Sequence, residues 1–266
     1  MSSIPASFRE PTKRIKTRWP ASAQGEARLK DNKLQGVILA GGLGTRLRPY
    51  TLLVPKPMLP VGPKPILEHI VLWLKESGIT EIIITTGYLG KTIREYFGSG
   101  KDWDVEIQYA ASPHPLGIAG QLKSAERLIR GRFVCVYGDA ILETDLRKVM
   151  AFHETHKPLA TMTLMKYSTN LKYGFMETNK DGLLIEWKEK PTITGYINVG
   201  CYVMEKKFLQ FIPPEQMYGM KEAFEDAMKH GKVYCIRSEG KFTDIGDTKS
   251  YREANDEFTK KMGQLL

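Results

Sequence analysis

A four-residue apolar run, Val37-Ile38-Leu39-Ala40, empties into Gly41-Gly42-Leu43-Gly44, and this junction narrows the available folds more than any other stretch. An apolar run of that length and type reads as a buried strand. The glycines after it leave no side chains to block an incoming ligand, and backbone N–H groups in such a loop can turn inward together and bind anions. Arg46 and Lys56 follow on the same segment and add fixed positive charge. A strand, a glycine loop and two cations describe a nucleotide site.

The chain beyond this loop alternates. Ile66, Leu67, Ile70, Val71 and Leu74 recur at helical spacing, with Ser77-Gly78 as the stop. Strands are expected at 81–86, 104–110 and 132–137, and helices at 90–97, 116–129 and 146–156, the last capped by Asp145. Strands alternating with helices of this length imply βαβ units and an α/β fold with a mainly parallel sheet. Ligands in such sheets bind at the carboxyl ends of strands, where the glycine loop and the Gly138-Asp139 step both fall. From Leu159 the pattern becomes β-rich, with strands at 159–165, 173–178, 183–188 and 197–204. Asn179-Lys180-Asp181-Gly182 marks a hairpin turn, and two further helices are expected at 221–229 and 250–262.

Two familiar glycine loops do not match. The dinucleotide fingerprint requires a third glycine where this chain has Leu47, and the P-loop requires Gly-Lys-Ser/Thr where Thr45 and Arg46 follow Gly44. The full pattern, G-G-x-G-T-R-L followed by Pro55-Lys56-Pro57, instead resembles the signature of the sugar-phosphate nucleotidylyltransferases, and the likeness runs from about Leu34 onward. It is closest in type to the mannose-1-phosphate guanylyltransferases, with the heptose-phosphate guanylyltransferases beside them. The resemblance implies a Rossmann-like three-layer nucleotidyltransferase fold with a β-rich sugar-binding half. It also implies transfer of a nucleotidyl group from a nucleoside triphosphate to a sugar-1-phosphate, with pyrophosphate leaving. Glucose-1-phosphate thymidylyl- or cytidylyltransferases and a catalytically silent, nucleotide-sugar-binding homologue are the alternatives.

Residue by residue, the resemblance implies Arg46, Lys56 and Asp139 as catalytic groups. A planar guanidinium at Arg46 suits the departing pyrophosphate. Leu39, Ala40, Gly41, Gly42, Gly44, Thr45 and Gly138 would surround the nucleotide, with Pro115 and Gly117 beneath the base. Ile118 stands where the family's P-L-G-T-A-G loop has threonine, and Ser112 and His114 are further candidates for reading the base edge. Asp139 and Asp244 would hold magnesium, a hard cation that takes one or two carboxylates besides phosphate and water. Phe242 occupies a position where the family often has tryptophan. On the sugar side the implied contacts are Gly174, Glu189 and Lys190 of the E-K-P element, and Asn198. A sugar transferase using a nucleotide sugar as donor would typically carry D-x-D, whereas Gly138-Asp139-Ala140 offers one aspartate. Retention of Arg46, Lys56, Asp139, Lys190 and Asp244 argues against the silent homologue.

Composition sets outer limits. No apolar run approaches the roughly 18 residues of a membrane span, and the start of the chain lacks the apolar core of a secretory signal. Cys135, Cys201 and Cys235 sit in strand-like runs without paired spacing, which reads as reduced core cysteines and a cytoplasmic setting. Residues 1–33 hold eight basic and three acidic side chains, a net +5 of the chain's +9. With three prolines and little apolar periodicity, they read as a basic, flexible tail preceding a catalytic domain at 34–266. The expected partners are the two phosphorylated substrates. Nucleic acid and membrane are disfavoured and homo-oligomerisation is left open. The chain's end soon after its last helix implies no appended β-helix domain.

Overall fold

Alternation along the first strand sorts the core into two layers. Val37 and Leu39 point into one apolar cluster with Ala119, Leu122, Phe208 and Phe224, while Ile38 points into another with Ile66, Leu74, Ile93 and Val149. Successive strand residues face opposite sides, so a strand buried on both faces reads as a continuous apolar run. The computed structural model describes residues 34–112 and 114–263, and the basic segment 1–33 lies outside them. These residues belong to one compact unit, Asn32–Leu266.

In chain order come β1 (Gln35–Leu39), the hairpin β2 (Pro60–Val61) and β3 (Lys64–Pro65), α1 (Ile66–Glu76), β4 (Glu81–Thr86), α2 (Gly90–Phe97), β5 (Glu106–Ala111), α3 (Gly117–Ser124) and β6 (Phe133–Tyr137). There follow β7 (Ala140–Thr144), α4 (Leu146–His156), β8 (Ala160–Asn170), β9 (Phe175–Thr178), β10 (Leu184–Lys188), β11 (Thr192–Met204), α5 (Met220–Met228), β12 (Val233–Ser238), β13 (Gly240–Asp244) and α6 (Thr248–Gly263). Seven strands form the central sheet in the order β12-β8-β11-β6-β1-β4-β5. β1 pairs parallel with both β4 and β6, whereas β11 runs antiparallel to β6 and β8. From β1 the chain crosses first to β4 on one side and later to β6 on the other. That divergence opens a crevice at the carboxyl end of β1.

The expected α/β architecture with a mainly parallel sheet and helices on both faces is present. Asp145 caps α4, accepting a hydrogen bond from the Arg147 backbone N–H at 3.2 Å. The hairpin turn is also present: Asn179 Oδ1 accepts from the backbone N–H groups of Asp181 and Leu183, and Gly182 takes φ +86°.

Three expectations need correction. The helix expected over 116–129 ends at Ser124; the chain beyond it tightens into turns that bond Ala125 N–H to Leu122 O and Glu126 N–H to Lys123 O, and the Gln35 side chain then holds the following backbone. Gln35 Nε2 donates to Leu128 O at 3.1 Å, and Gln35 Oε1 accepts from Arg130 N–H at 2.8 Å. β8 and β11 run five residues further than their apolar patterns, pairing Lys166–Asn170 with Thr192–Tyr196 as an arm exposed on both faces. Backbone pairing and cross-strand bonds such as Ser168–Thr194 hold this arm, and neither leaves an apolar period to detect. Cys135 and Cys201 are buried, but Cys235 is exposed because β12 is the edge strand of the sheet.

His153 is fully buried in α4, between Thr161 of β8 and Glu205 just after β11. The ionised carboxylate of Glu205 can only accept, so Nε2–H donates to it and Nδ1 accepts from the Thr161 hydroxyl. Arg132 bonds the same carboxylate through Nε at 2.6 Å and reaches Glu154 with its other arm. Burial is the largest influence on the imidazole and lowers its pKa from the ordinary 6.5 despite the opposing pull of Glu205. Below that ordinary value the unfolded chain binds a proton that the native state refuses, so this group's stabilisation is complete above pH 6.5 and is lost as pH falls below it. We expect urea midpoints to fall between pH 7 and 5 in the wild type. The fall should be shallower in His153→Gln, as read by fluorescence at both pH values.

Candidate active site

The glycine loop takes its shape from its neighbours. Gly44 adopts φ +62°, and a Cβ there would lie 2.9 Å from Thr51 Cγ2. Thr51 fixes the turn by donating its hydroxyl to Gly44 O at 2.8 Å. Gly41 has a different requirement. Its N–H donates to Gln121 Oε1 at 2.9 Å, and a Cβ at Gly41 would approach that oxygen to 2.8 Å. Gly42 is open, with no heavy atom within 4 Å of where its Cβ would stand. Gly138 keeps the chain leaving β6 close against the end of β1: its N–H donates to Leu39 O at 2.9 Å, and a Cβ would lie 2.8 Å from that oxygen.

After the loop the chain winds through three short 3₁₀ turns, the last being Lys56–Met58, and brings Lys56 back under Gly44. Lys56 is 6% exposed and its Nζ donates to Asp139 Oδ2 at 2.8 Å. A buried ammonium needs such a partner. The Asp139 carboxylate is half-exposed and so remains accessible to other ligands. β7 then pairs antiparallel with β13 and sets Asp244 opposite Ala140, the residue that follows Asp139. Gly246 leaves space that Asp244 Oδ2 fills, 2.8 Å from where a Cβ would stand. The carboxyl of Asp247, just beyond, is held below its usual range, chiefly by hydrogen bonds from Ser250 and to a smaller extent by the charge of Arg46.

A cavity of about 240 Å³ lies over this junction. Among the expected residues, Leu39, Ala40, Gly42, Gly44, Thr45, Arg46, Lys56 and Asp139 line it. Gly41 and Gly138 shape its walls through the backbone contacts above. Pro115 lies just before α3, and Gly117, at φ +70°, starts that helix beneath the Tyr218 carbonyl. Ser112 turns its hydroxyl toward His114 O at 3.2 Å.

Sequence reasoning missed Gln121 and Tyr137, which also line the cavity. Gln121 follows directly on the Pro115–Gly120 loop, and that adjacency was the available signal. Tyr137 links the cavity to the sugar-side candidates, since Tyr202 OH donates to Tyr137 OH at 3.0 Å and Asn198 Nδ2 donates to Tyr202 OH at 2.7 Å. Asn198 sits where the β11–β8 register shifts, and its Oδ1 accepts from Gly200 N–H at 2.9 Å. Gly174 and Glu189 meet on the exposed β9–β10 hairpin, where Trp187 Nε1 donates to Glu189 Oε2 at 3.2 Å. Lys190 beside them takes φ +43°, a costly backbone conformation for a non-glycine residue. None of Gly174, Glu189, Lys190 and Asn198 lines the cavity itself.

Asp139 lines the cavity, and Asp244, opposite Ala140 on the paired strand, lies just outside it; carboxylate oxygens of this kind are the hard donors that magnesium takes. Among the described residues, no group of three or more histidine, cysteine or acidic side chains is placed to hold a metal alone. Any ion here would share its coordination with phosphate oxygens and water. No helix among these residues is long and apolar enough to cross a membrane.

Known proteins share this design. The chain is 34% identical over 227 residues to D-glycero-alpha-D-manno-heptose 1-phosphate guanylyltransferase of Aneurinibacillus thermoaerophilus, covering 84% of this chain and 98% of that protein. It is 30% identical over 226 residues to mannose-1-phosphate guanylyltransferase of Mycobacterium tuberculosis, covering 83% of this chain but only 63% of that longer protein. HddC of Yersinia pseudotuberculosis, solved with GMP-PN, superimposes with a TM-score of 0.67 at 25% identity over 85% of this chain and 99% of HddC. The model of the nucleotidyl transferase family matches residues 35–261, and the chain belongs to that family.

Proposed function

We propose that residues 34–266 form a catalytic unit that transfers a nucleotidyl group from a nucleoside triphosphate to a sugar-1-phosphate, releasing pyrophosphate. The most favoured pair is GTP with a mannose-type sugar phosphate. The observation that carries this reading is the pairing of buried Lys56 with half-exposed Asp139 beneath the glycine loop, because it couples a cation for phosphate to a carboxylate open to a metal in one cavity. The named activities of the two guanylyltransferase relatives support the choice of base and sugar class.

In this reading an oxygen of the sugar phosphate attacks the α-phosphorus, and the bond to the bridging oxygen of pyrophosphate breaks opposite it. Catalysis of this kind consists mainly of positioning and charge neutralisation. Lys56 holds its ammonium in place through Asp139 and binds a phosphate oxygen. Arg46, exposed at the rim of the cavity, receives the charge that grows on the departing pyrophosphate. Asp139 and Asp244 would hold a magnesium ion, whose charge would offset that of the triphosphate oxygens. Glu189, Lys190, Gly174 and Asn198 would engage the sugar phosphate.

The test is pyrophosphate release over a panel of triphosphates and sugar-1-phosphates, with and without magnesium. We expect release only when both substrates and the metal are present. Tight binding of a nucleotide sugar with no turnover across the panel would instead establish the silent homologue.

A further inference from the structure

The side chain of Gln121 is oriented by its surroundings. Its Oε1 accepts from the Gly41 backbone N–H at 2.9 Å and lies 3.4 Å from Thr85 Oγ1. A backbone N–H can only donate, so the carboxamide cannot be turned round without placing two donors face to face. Its amide nitrogen therefore has both protons left for other partners, and no protein acceptor engages them among the described residues. Gln121 lines the cavity, and Gly41 has no side chain that would displace it.

The glycine loop separates this amide from the cations. The start of the loop, at Gly41, touches Gln121, whereas its end, at Gly44, packs on Lys56. Beside Gln121, Ile118 lies one helical turn earlier on α3, is 40% exposed and also lines the cavity, as does Leu39. A neutral donor flanked by aliphatic side chains does not suit a phosphate, which calls for cations. It suits the flat apolar face and polar edge of a nucleobase.

We propose that Gln121 reads the base: its amide donates to an exocyclic carbonyl oxygen and so selects guanine, uracil or thymine over adenine and cytosine, which carry an amino group at that edge. This rests on the nucleotidyl-transfer reading for the identity of the cavity. It adds to that reading a specificity-determining residue and a chemical rule for the base. An amino group facing the Gln121 amide leaves two donors opposed and both unpaired, and a polar site rejects such a mismatch by more than it gains from a match.

The experiment measures binding of GTP, dGTP, UTP, ATP and CTP to the full chain by calorimetry without sugar phosphate, alongside kcat/KM with it. Two variants are compared. Gln121→Glu still accepts from Gly41 N–H but presents an acceptor in place of the amide, and Gln121→Met removes the polar group at similar length. Wild-type protein should favour the oxo bases by about tenfold to a hundredfold. Gln121→Met should shrink that ratio towards one, and Gln121→Glu should invert it. Any general repulsion of triphosphate by the new carboxylate divides out of the ratio. Melting temperatures establish that both variants fold, and Gln121→Met carries the test alone if the charged variant does not.

Oxo-base selectivity unchanged in Gln121→Met would overturn the proposal. So would a changed GTP to dGTP ratio with an unchanged base ratio, which would make Gln121 a ribose contact. The two readings fail separately. A base ratio that responds to the variants without any sugar-phosphate turnover would keep this inference and sink the proposed reaction. Turnover that persists with a base ratio unmoved by either variant would do the reverse.

Discussion

Asp139→Asn should lower turnover by about a hundredfold to a thousandfold, on the scale of losing one preorganised charge-stabilising contact, while leaving the fold in place. Asparagine matches the shape of aspartate but lacks the charge that a hard cation requires. It also leaves the Lys56 ammonium, 6% exposed, facing a neutral amide. Removing one partner of a fully buried pair costs about 3–5 kcal/mol, but the Asp139 side chain is 45% exposed, so water can compensate much of the lost charge here. A stability loss on the order of 1 kcal/mol is the discounted expectation. Magnesium titration of the rate, with a melting curve on the same sample, separates the two effects. Asp244→Asn should behave alike, and the double variant should lose little more than either single one if, as proposed, both carboxylates serve one ion. Full activity in Asp139→Asn would remove this residue from the site.

Arg46→Ala should lower kcat by about a hundredfold, on the order of 3 kcal/mol, with a smaller change in KM for the triphosphate. Charge on the bridging oxygen grows toward the transition state, so a guanidinium aimed at it contributes more there than in the ground state. Arg46 stands exposed at the cavity rim, where its charge is felt by Asp247 and is open to a ligand. Steady-state kinetics at saturating sugar phosphate decides the matter. A rise in KM with kcat unchanged would make Arg46 a ground-state binder.

Much of this site was legible because its chemistry is local. The loop from Leu39 to Arg46 is eight consecutive residues, and its glycines reveal themselves by composition. The strands of the core were legible because burial on both faces demands continuous apolar runs, as at Val37–Leu39 and Phe133–Val136. The polar ends of β8 and β11 had no such signature, and neither did the early end of α3, beyond which the backbone at Leu128 and Arg130 is held by a glutamine more than eighty residues away.

From the sequence alone follow the α/β class, the glycine-loop end of the cavity, and the residue types able to carry phosphate and metal. These depend on periodicity and on short motifs, which a linear chain displays directly. Only the tertiary structure could decide which distant groups meet. Lys56 reaches Asp139 across 83 positions because β6 lies beside β1, Asp244 comes opposite Ala140, next to Asp139 in the chain, because β13 pairs with β7, and Gln121 reaches Gly41 across 80 positions because α3 packs over β1. Each meeting is set by sheet order and helix packing. Those are properties of the whole buried core, and no window of sequence short enough to read by pattern contains them.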